Sequence, residues 1–396
     1  RRENIDRVIE ATGNILSGYQ FEWQKIKTEG NPVLLGKLDV GRNNWLTIYN
    51  HLDVQPADEP QWRTNPFDPK VIDGKIYGRG STDDKGPLLT TLHAINFLKR
   101  NKHDLPNIQV IYETEEEIGS PHFSDFIDSN LHELESPNSI LISDSIWEGD
   151  NPALTYKLRG ALRIFAELKT ADSEVHSGLA GGPAENPLLI LNEAISSCVN
   201  AKSGEILVPG FYDDVNQITE KEIANLRNVA AKFDLEGYRK DLGVYRLRSN
   251  EAEDIISRIW NKSTLELHGY EGVQTAPEEI KTSIPNQVKA KITVRLVPGQ
   301  EPDDIVKKIE THLKKFDDRI KVYGRGAKAS ITEIDNQYMA KAAEACRYGF
   351  EKDPLYVGGG GTIGSVPPLQ RVFNVPIVLL AQSLLSDGYH KPNECF

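Results

Sequence analysis

The N-terminal part of the chain alternates between two hydrophobic periods. Apolar and polar residues alternate from Trp45 to Val54, and NIQVIYE and SILIS are short apolar runs, all typical of strands. RRENIDRVIEATGNIL and GPLLTTLHAINFLKR have the three- to four-residue apolar spacing of amphipathic helices. Strands that alternate with helices predict an α/β domain whose sheet is mostly parallel.

The middle of the chain predicts a second, smaller domain. ALRIFAELKT and KAKITVRLVP have strand patterns, and each is followed by a helical pattern, NPLLILNEAISSCVNA and DDIVKKIETHLKKF. We therefore expect an inserted α+β domain at 160–328, within a catalytic domain formed by 1–159 and 329–396. The polar stretch from about Lys202 to about Lys281 has no recognisable motif. MAKAAEACRYGF and VPIVLLA then predict a helix and a buried strand of the first domain.

Several polar side chains lie at or just beyond the ends of predicted strands. His51, Glu117 and Asp144 have this position, and ligands of parallel sheets bind at the carboxyl ends of the strands. Taken singly, each is weak evidence. A His-x-Asp sequence, a run of three glutamates and an acidic turn such as GRGSTDDKGP all occur as solvated loops.

The composition limits the kinds of partner. The formal net charge is -12, whereas nucleic acids and anionic membranes require a basic surface, so we expect the protein to bind neither. No apolar run reaches the length of a membrane span. The cysteines, Cys198, Cys346 and Cys395, are scattered and odd in number, which favours neither a disulfide framework nor a cysteine zinc site. A reducing cytoplasm is the expected location.

As a set, the candidates point to metal chemistry. Two imidazoles and three carboxylates come from His51, Asp83, Glu117, Asp144 and His390. If Asp83 bridges, each of two metals receives one histidine and two carboxylates, a mixture that suits zinc. Two such ions roughly 3.5–4 Å apart can polarise a carbonyl and activate water. Asp53 shares a strand face with His51 and can orient its ring, while Glu116 stays free as a general base.

At this point the sequence resembles the dizinc metallopeptidase family that includes carnosinases, cytosolic dipeptidases, aminoacylases, glutamate carboxypeptidases and succinyl-diaminopimelate desuccinylases. The resemblance lies in NHLDV, WRTNPFDP, DGKIYGRGSTDDKGP, TEEEIGS, LISDS, HSGLAGG, TSIPNQVKAKITVRLVP, GSVPP and DGYHKPNE. These stretches follow the family's order over nearly the whole chain. The resemblance implies an α/β catalytic domain with an inserted ferredoxin-like lid, and often a dimer through that lid.

The resemblance also implies a role for each motif residue. Asp83 would bridge the two metals, His51 and Asp144 would complete one site, and Glu117 and His390 the other. The peptide between Asp83 and Asp84 would be cis. Further implied roles are orientation of His51 for Asp53, general base for Glu116, oxyanion stabilisation from the partner subunit for His176, and substrate binding for Arg295, Thr282 and Ser365.

Three functions stay open at this point. The favoured one is a dipeptidase or carboxypeptidase that uses zinc, or alternatively manganese or cobalt, on small peptides with a free carboxylate. An N-acyl-amino-acid deacylase, of the deacetylase or desuccinylase type, would use the same metal chemistry. A metal-binding but inactive scaffold is the third. GGGGTIGS lacks both the Lys-Ser/Thr ending of a phosphate-binding loop and a following helix, so we interpret it as backbone that approaches substrate.

Overall fold

The computed structural model describes residues 2–274 and 281–396. The helices are α1 (Arg2–Gly18), α2 (Gly86–Arg100), α3 (Phe123–Ser129), α4 (Ser177–Ala180), α5 (Pro187–Ser196), α6 (Glu220–Ala230), α7 (Leu235–Asp241), α8 (Ala252–Trp260), α9 (Pro302–Leu313), α10 (Gln337–Phe350) and α11 (Val366–Phe373). The strands are β1 (Glu22–Ile26), β2 (Val33–Leu38), β3 (Trp45–His51), β4 (Lys70–Ile72), β5 (Lys75–Tyr77), β6 (Asn107–Glu113), β7 (Ser139–Ile142), β8 (Ala153–Leu158), β9 (Gly160–Lys169), β10 (Val175–His176), β11 (Thr264–Glu271), β12 (Ser283–Ile284), β13 (Gln287–Leu296), β14 (Lys321–Ala327), β15 (Ser330–Ile331), β16 (Leu355–Gly359) and β17 (Ile377–Leu380).

The described chain forms two compact units. Unit 1 comprises Arg1–Tyr156, Thr332–Gly358 and Ile363–Phe396, and unit 2 comprises Lys157–Ile331 and Gly359–Thr362. Residues 275–280 of the predicted polar stretch lie outside the described residues. The functional assignments of the predicted domains, catalysis and lid, stay predictions.

Unit 1 is built on a mixed sheet with strand order β1-β2-β6-β3-β7-β17-β8. Its centre is parallel, since β3 pairs in parallel with β6 and β7, and β17 in parallel with β7. The outer strands are antiparallel. Helices α1 and α2 pack their apolar stripes on this sheet, where Leu16 and Leu92 are fully buried with Ile108 and Val110. The predicted fold class, a mixed α/β sheet flanked by helices, is confirmed.

Unit 2 contains an antiparallel sheet in the order β11-β13-β9-β14. Side chains of β9 and β13 alternate strictly, and one face packs on α5 and α9 through residues such as Ile164, Ile292, Leu191 and Ile309. Because strand neighbours point to opposite faces, Arg295 lies on the face away from these helices. Strands and helices thus follow the α+β pattern expected for this part of the chain.

Two sequence interpretations need correction. The stretch from Lys202 onward, which appeared featureless, contains α6, α7, α8 and β11. Its signals were present: Thr219 and Glu222 form a capping box, and Ile255, Ile256 and Trp260 are the buried stripe of α8. The expectation that no helix follows GGGGTIGS is also wrong, because α11 begins at Val366. Within the described residues, no helix is both long and apolar enough to cross a membrane.

Candidate metal centre

The candidate ligands of unit 1 gather at the carboxyl edge of its parallel strands. His51 is the last residue of β3, Glu116 and Glu117 follow β6, Asp144 follows β7, and His390 lies in the segment after β17. Parallel neighbours end at the same edge, so these loops meet there. The placement predicted from the strand ends is therefore what the structure has.

The carboxylate of Asp83 lies between the two candidate histidines. Its Oδ1 is 2.9 Å from Nε2 of His51, and its Oδ2 is 2.9 Å from Nε2 of His390. Two ligands of one tetrahedral zinc lie roughly 3.4 Å apart, given zinc–ligand bonds of about 2.0–2.2 Å. The observed separations of 2.9 Å are shorter and correspond to direct hydrogen bonds between the side chains. Each oxygen thus faces a different imidazole, so the carboxylate lies where it could bridge two ions.

Asp83 is presented by the turn that precedes α2. Gly80 in this turn has φ 86°, which a residue with a side chain rarely adopts. The peptide bond between Asp83 and Asp84 is cis, as the resemblance implied. Asp84 is fully buried, and its carboxylate accepts hydrogen bonds from Nδ2 of Asn50 at 2.7 Å and from N of His51 at 3.4 Å.

Glu117 and His390 face each other at the second half of the cluster. Nε2 of His390 is 3.1 Å from Oε2 of Glu117. Gln55 orients this carboxylate: its Nε2 donates to Oε2 at 2.8 Å, and its main-chain N donates to Oε1 at 3.1 Å. Sequence reasoning missed Gln55, because nothing distinguishes it from other polar residues that follow a strand.

The first half of the cluster combines His51, Glu116 and Asp144. One ligand atom of each lies within 4.8 Å of the others, and His51, Asp83 and Glu117 form a second such group. The structure thus brings the five predicted ligands and Glu116 together in one unit. Glu116 lies close enough to serve either as a ligand or as a base, so the geometry alone does not assign its role.

Asp53 contacts the imidazole of His51, as expected, and also the main chain of Glu116 and Glu117. Nδ1 of His51 is 3.2 Å from the main-chain O of Asp53 and 3.5 Å from its Oδ1. The two carboxylate oxygens accept hydrogen bonds from N of Glu116 at 3.2 Å and N of Glu117 at 3.1 Å. Asp53 therefore holds the loop that carries the glutamates as well as the imidazole ring.

The electrostatics of the cluster favour cations. Burial, together with the charge of Asp83, raises the pKa of Asp144 to about 7, and burial and Asp144 raise the pKa of Glu116 well above its ordinary value. Hydrogen bonds to Asp83 and Glu117 raise the pKa of His390 to about 10. Burial lowers the pKa of His51, but Asp53 and Asp83 outweigh it and raise the pKa overall. Burial and neighbouring charges thus disfavour the ionised forms of Asp144 and Glu116, and a divalent ion beside them would stabilise those forms.

The remaining predicted residues lie elsewhere. His176 and Thr282 belong to unit 2 and meet on a two-stranded ribbon: His176 pairs with Ser283, and N of Ser177 donates to O of Thr282 at 3.0 Å. Nη1 of Arg295 donates to Oγ1 of Thr362 at 3.0 Å. Burial and the charge of Arg163 lower the pKa of Arg295.

The side chain of Ser365 is not accessible from the protein surface in this structure. It lies in unit 1 directly before α11, and its side chain is fully buried. The phenol of Tyr49 is its polar neighbour. The substrate contact that the resemblance implied for Ser365 stays a prediction, and it requires the buried hydroxyl to become accessible.

Comparison with known proteins identifies the family. Residues 47–396 match peptidase family M20/M25/M40. The chain belongs to this family. It is 34% identical over 375 residues to the Beta-Ala-His dipeptidase of Homo sapiens, which covers 92% of this chain and 73% of the relative. It is 31% identical over 380 residues to a Cys-Gly metallodipeptidase of Saccharomyces cerevisiae, with coverage of 92% and 78%.

Solved structures agree with this assignment. An M20 family metallo-carboxypeptidase from Sulfolobus solfataricus superposes with a TM-score of 0.91 at 27% identity, over 99% of this chain and 90% of that one. Human carnosine dipeptidase 1 gives a TM-score of 0.82 at 31% identity, over 100% and 87%. The family prediction is confirmed, and this member of the family is a metal-dependent peptidase.

Proposed function

We propose that the protein is a dizinc metallodipeptidase, or a carboxypeptidase of the same type, that cleaves small peptides with a free carboxylate. The observation that carries the proposal is Asp83, whose two oxygens each lie 2.9 Å from a different histidine. Unit 1 would be the catalytic domain and unit 2 the lid. The dipeptidase names of relatives that match 92% of the chain support small peptides as the substrate class.

The donor set fits two divalent ions. His51 and Asp144 would hold one, Glu117 and His390 the other, and Asp83 both. When bound, the ions supply Lewis-acid polarisation of the scissile carbonyl and a lowered pKa for the attacking water. We propose zinc because mixed imidazole and carboxylate ligands suit it, with manganese and cobalt as substitutes.

Glu116 would move the proton. Its carboxylate lies beside His51 and Asp144, and its raised pKa suits a group that accepts a proton from water and returns it to the leaving amine. Asp53 would keep it in place, since the Asp53 carboxylate accepts the hydrogen bond from N of Glu116. Of the two adjacent carboxylates, Glu116 would thus transfer the proton and Glu117 would bind metal.

Unit 2 would bind the substrate. Arg295 would grip a substrate carboxylate with two parallel hydrogen bonds; it is partly buried and lies on the face of the sheet away from α5 and α9. Thr282 would add a further contact. His176, whose side chain is exposed at the end of β10, would stabilise the oxyanion of a partner subunit's site. This role requires a homodimer through the lid.

The substrate class is tested by one mixed pool. The zinc- or manganese-loaded protein is incubated with dipeptides and N-acyl amino acids, and mass spectrometry follows each compound. Loss of dipeptides, abolished by a chelator and restored by the metal, supports the proposal. Loss of only the acyl compounds would instead assign a deacylase, and loss of neither would contradict both activities.

A further inference from the structure

The carboxylate of Glu394 is fully buried beneath the turn that carries Asp83. Its Oε1 accepts hydrogen bonds from N of Thr82 at 3.0 Å and N of Asp83 at 3.1 Å. Its Oε2 accepts from N of Gly80 at 3.1 Å and from Nη1 of Arg79 at 2.8 Å. A single side chain thus accepts hydrogen bonds from three main-chain amides of the turn and from one guanidinium, so the path of this turn depends on it.

Arg79 completes the charge balance of this buried group. Its side chain is 2% exposed and that of Glu394 is 0% exposed. Nη2 of Arg79 also donates to O of Pro56 at 3.2 Å, and the guanidinium lies 5.2 Å from the ring centre of Trp62. Removing Glu394 would leave the buried guanidinium with Glu59, at 3.8 Å, as its acidic partner, and removing Arg79 would leave the Glu394 carboxylate without this charge; both changes are unfavourable.

Glu394 also connects two of the candidate ligands. Its own main chain accepts a hydrogen bond from N of Gly78 at 3.0 Å, and Tyr77 and Cys395 form an antiparallel bridge. His390 lies in the same terminal segment, four residues earlier. The terminal segment that carries His390 is therefore hydrogen-bonded, through Glu394, to the main-chain N of Asp83. The carboxylate of Asp83 in turn faces His390.

We propose that Glu394, paired with Arg79, is a positioning residue for the metal centre. It holds the main chain of Asp83 where the two carboxylate oxygens lie 2.9 Å from His51 and from His390. It touches neither substrate nor metal and acts only through this turn. The inference rests on the proposed function, in which Asp83 is a ligand of both ions.

A purely structural role is the alternative, and the chain offers a matched control. Glu222 is also buried and ion-paired, to Lys157, and it accepts a hydrogen bond from N of Thr219 at 3.0 Å. It belongs to unit 2, which contains none of the candidate metal ligands. The substitutions Glu394→Gln and Glu222→Gln therefore remove similar interactions, but only the first is adjacent to Asp83.

The test measures metal binding and stability separately. Zinc affinity is determined by competition with a chromophoric chelator, the ligand geometry by the visible spectrum of the cobalt-loaded protein, and stability by urea unfolding without metal. We expect Glu394→Gln to lower zinc affinity by about 10- to 100-fold and to change the cobalt spectrum. Glu222→Gln should lose stability with the zinc affinity and spectrum of the wild type. Wild-type affinity and spectrum in folded Glu394→Gln would overturn the proposal.

A milder substitution covers the case in which Glu394→Gln does not fold. Arg79→Lys keeps a positive charge near Glu394, but a single ammonium cannot reproduce the fork that bonds both Glu394 and Pro56. We expect a several-fold loss of zinc affinity in this variant. Unchanged affinity and an unchanged cobalt spectrum would contradict the positioning role.

A further variant separates this inference from the proposed function. If the wild-type protein binds no divalent ion, or if Asp83→Asn binds zinc as tightly as the wild type, the proposed metal centre itself is wrong. If Asp83→Asn loses zinc affinity while Glu394→Gln retains it, the metal centre stands and only the role of Glu394 is wrong.

Discussion

The two carboxylate oxygens of Asp83 lie at the centre of the candidate site, and the side chains around them make different contacts. The imidazoles of His51 and His390 face one oxygen each, Gln55 orients Glu117, and Asp53 holds the amides of the glutamate loop. Such supporting hydrogen bonds set the direction of a ligand's lone pairs. The geometry of the site therefore depends on Gln55, which the sequence pattern does not reveal, as well as on Asp53, which it does.

The role of Glu116 is tested by Glu116→Gln. The amide cannot accept a proton from water, while the ligands of the metal centre are unchanged. We expect turnover to fall by about 10²- to 10⁴-fold with two ions still bound. The measurements are steady-state kinetics and metal content by mass spectrometry.

Glu115→Gln is the neighbouring control for that variant. Glu115 accepts hydrogen bonds from N of Asn31 at 2.9 Å and faces His122 at 2.7 Å, so it lies away from the metal ligands. We expect its turnover to stay far closer to that of the wild type. Full activity in Glu116→Gln, or equal losses in both variants, would rule out Glu116 as the base.

Metal binding should release protons. In the metal-free protein, hydrogen bonds to Asp83 and Glu117 hold the pKa of His390 at about 10, so the ring is protonated near neutral pH. Binding requires the neutral ring. Affinity should therefore rise with pH through the neutral range, and zinc titration calorimetry in buffers of different ionisation enthalpy should detect the released protons. Equal affinity at about pH 6 and about pH 8 would contradict this protonation state.

Among the helices and strands, those at the carboxyl edge of the unit 1 sheet position the candidate ligands, and those of unit 2 do not. The parallel strands β3, β6, β7 and β17 end where the ligands lie, whereas the antiparallel sheet of unit 2 uses one face for its own core. Loops at the carboxyl edge carry polar residues at little cost, because the strands beneath them hold the core. All candidate metal ligands consequently belong to unit 1.

This separation predicts the effect of a cavity in unit 2. Ile309 of α9 is fully buried against the sheet, so Ile309→Ala should cost about 2–5 kcal/mol of unfolding free energy. Zinc affinity should stay unchanged, since no ligand is in unit 2. Urea unfolding and zinc titration measure the two quantities. Lys307→Ala, on the exposed side of the same helix, is the control. A marked loss of zinc affinity in Ile309→Ala would show that the metal centre depends on unit 2.

For the protein as a whole, the proposed dimer can be tested by complementation. Glu116→Gln lacks the base and His176→Ala lacks the proposed oxyanion group, so each homodimer should be inactive. In a mixed dimer with two-fold symmetry, one site combines the intact Glu116 of one protomer with the intact His176 of the other. Coexpression should restore about a quarter of the wild-type activity per subunit, because half of the dimers are mixed and each has one intact site.

The outcome also reports on the oligomer directly. A monomer in light scattering at working concentration, together with full activity of His176→Ala, would contradict both the dimer and the role of His176. Activity in the mixture no higher than in the separate variants would place His176 in its own subunit's site or outside the mechanism. The absence of nucleic-acid and membrane partners and the cytoplasmic location stay predictions.

Strong periodicity made most elements predictable. The helix predicted at Gly86 is α2 with the same bounds, and the strand predicted from Trp45 is β3. Weaker elements were missed: β1 and β2 were not recognised, and the helices after Lys202 combine polar residues with short apolar stripes. Strand β1 and helix α7 contain no buried residue, so neither has the apolar period that makes an element recognisable from a local pattern.

The order of the motifs and the types of their side chains were sufficient to identify the family, a metal-dependent chemistry and the identity of the candidate ligands. These follow from the sequence because a ligand set is defined by residue chemistry and position along the chain. The tertiary structure added the contacts between residues that are distant in sequence. Both histidines face Asp83, and Asp53 accepts hydrogen bonds from the glutamate loop. Ser365 is buried, and Glu394 contacts a turn more than three hundred residues earlier. Such relations are distances between atoms that only the folded chain brings together.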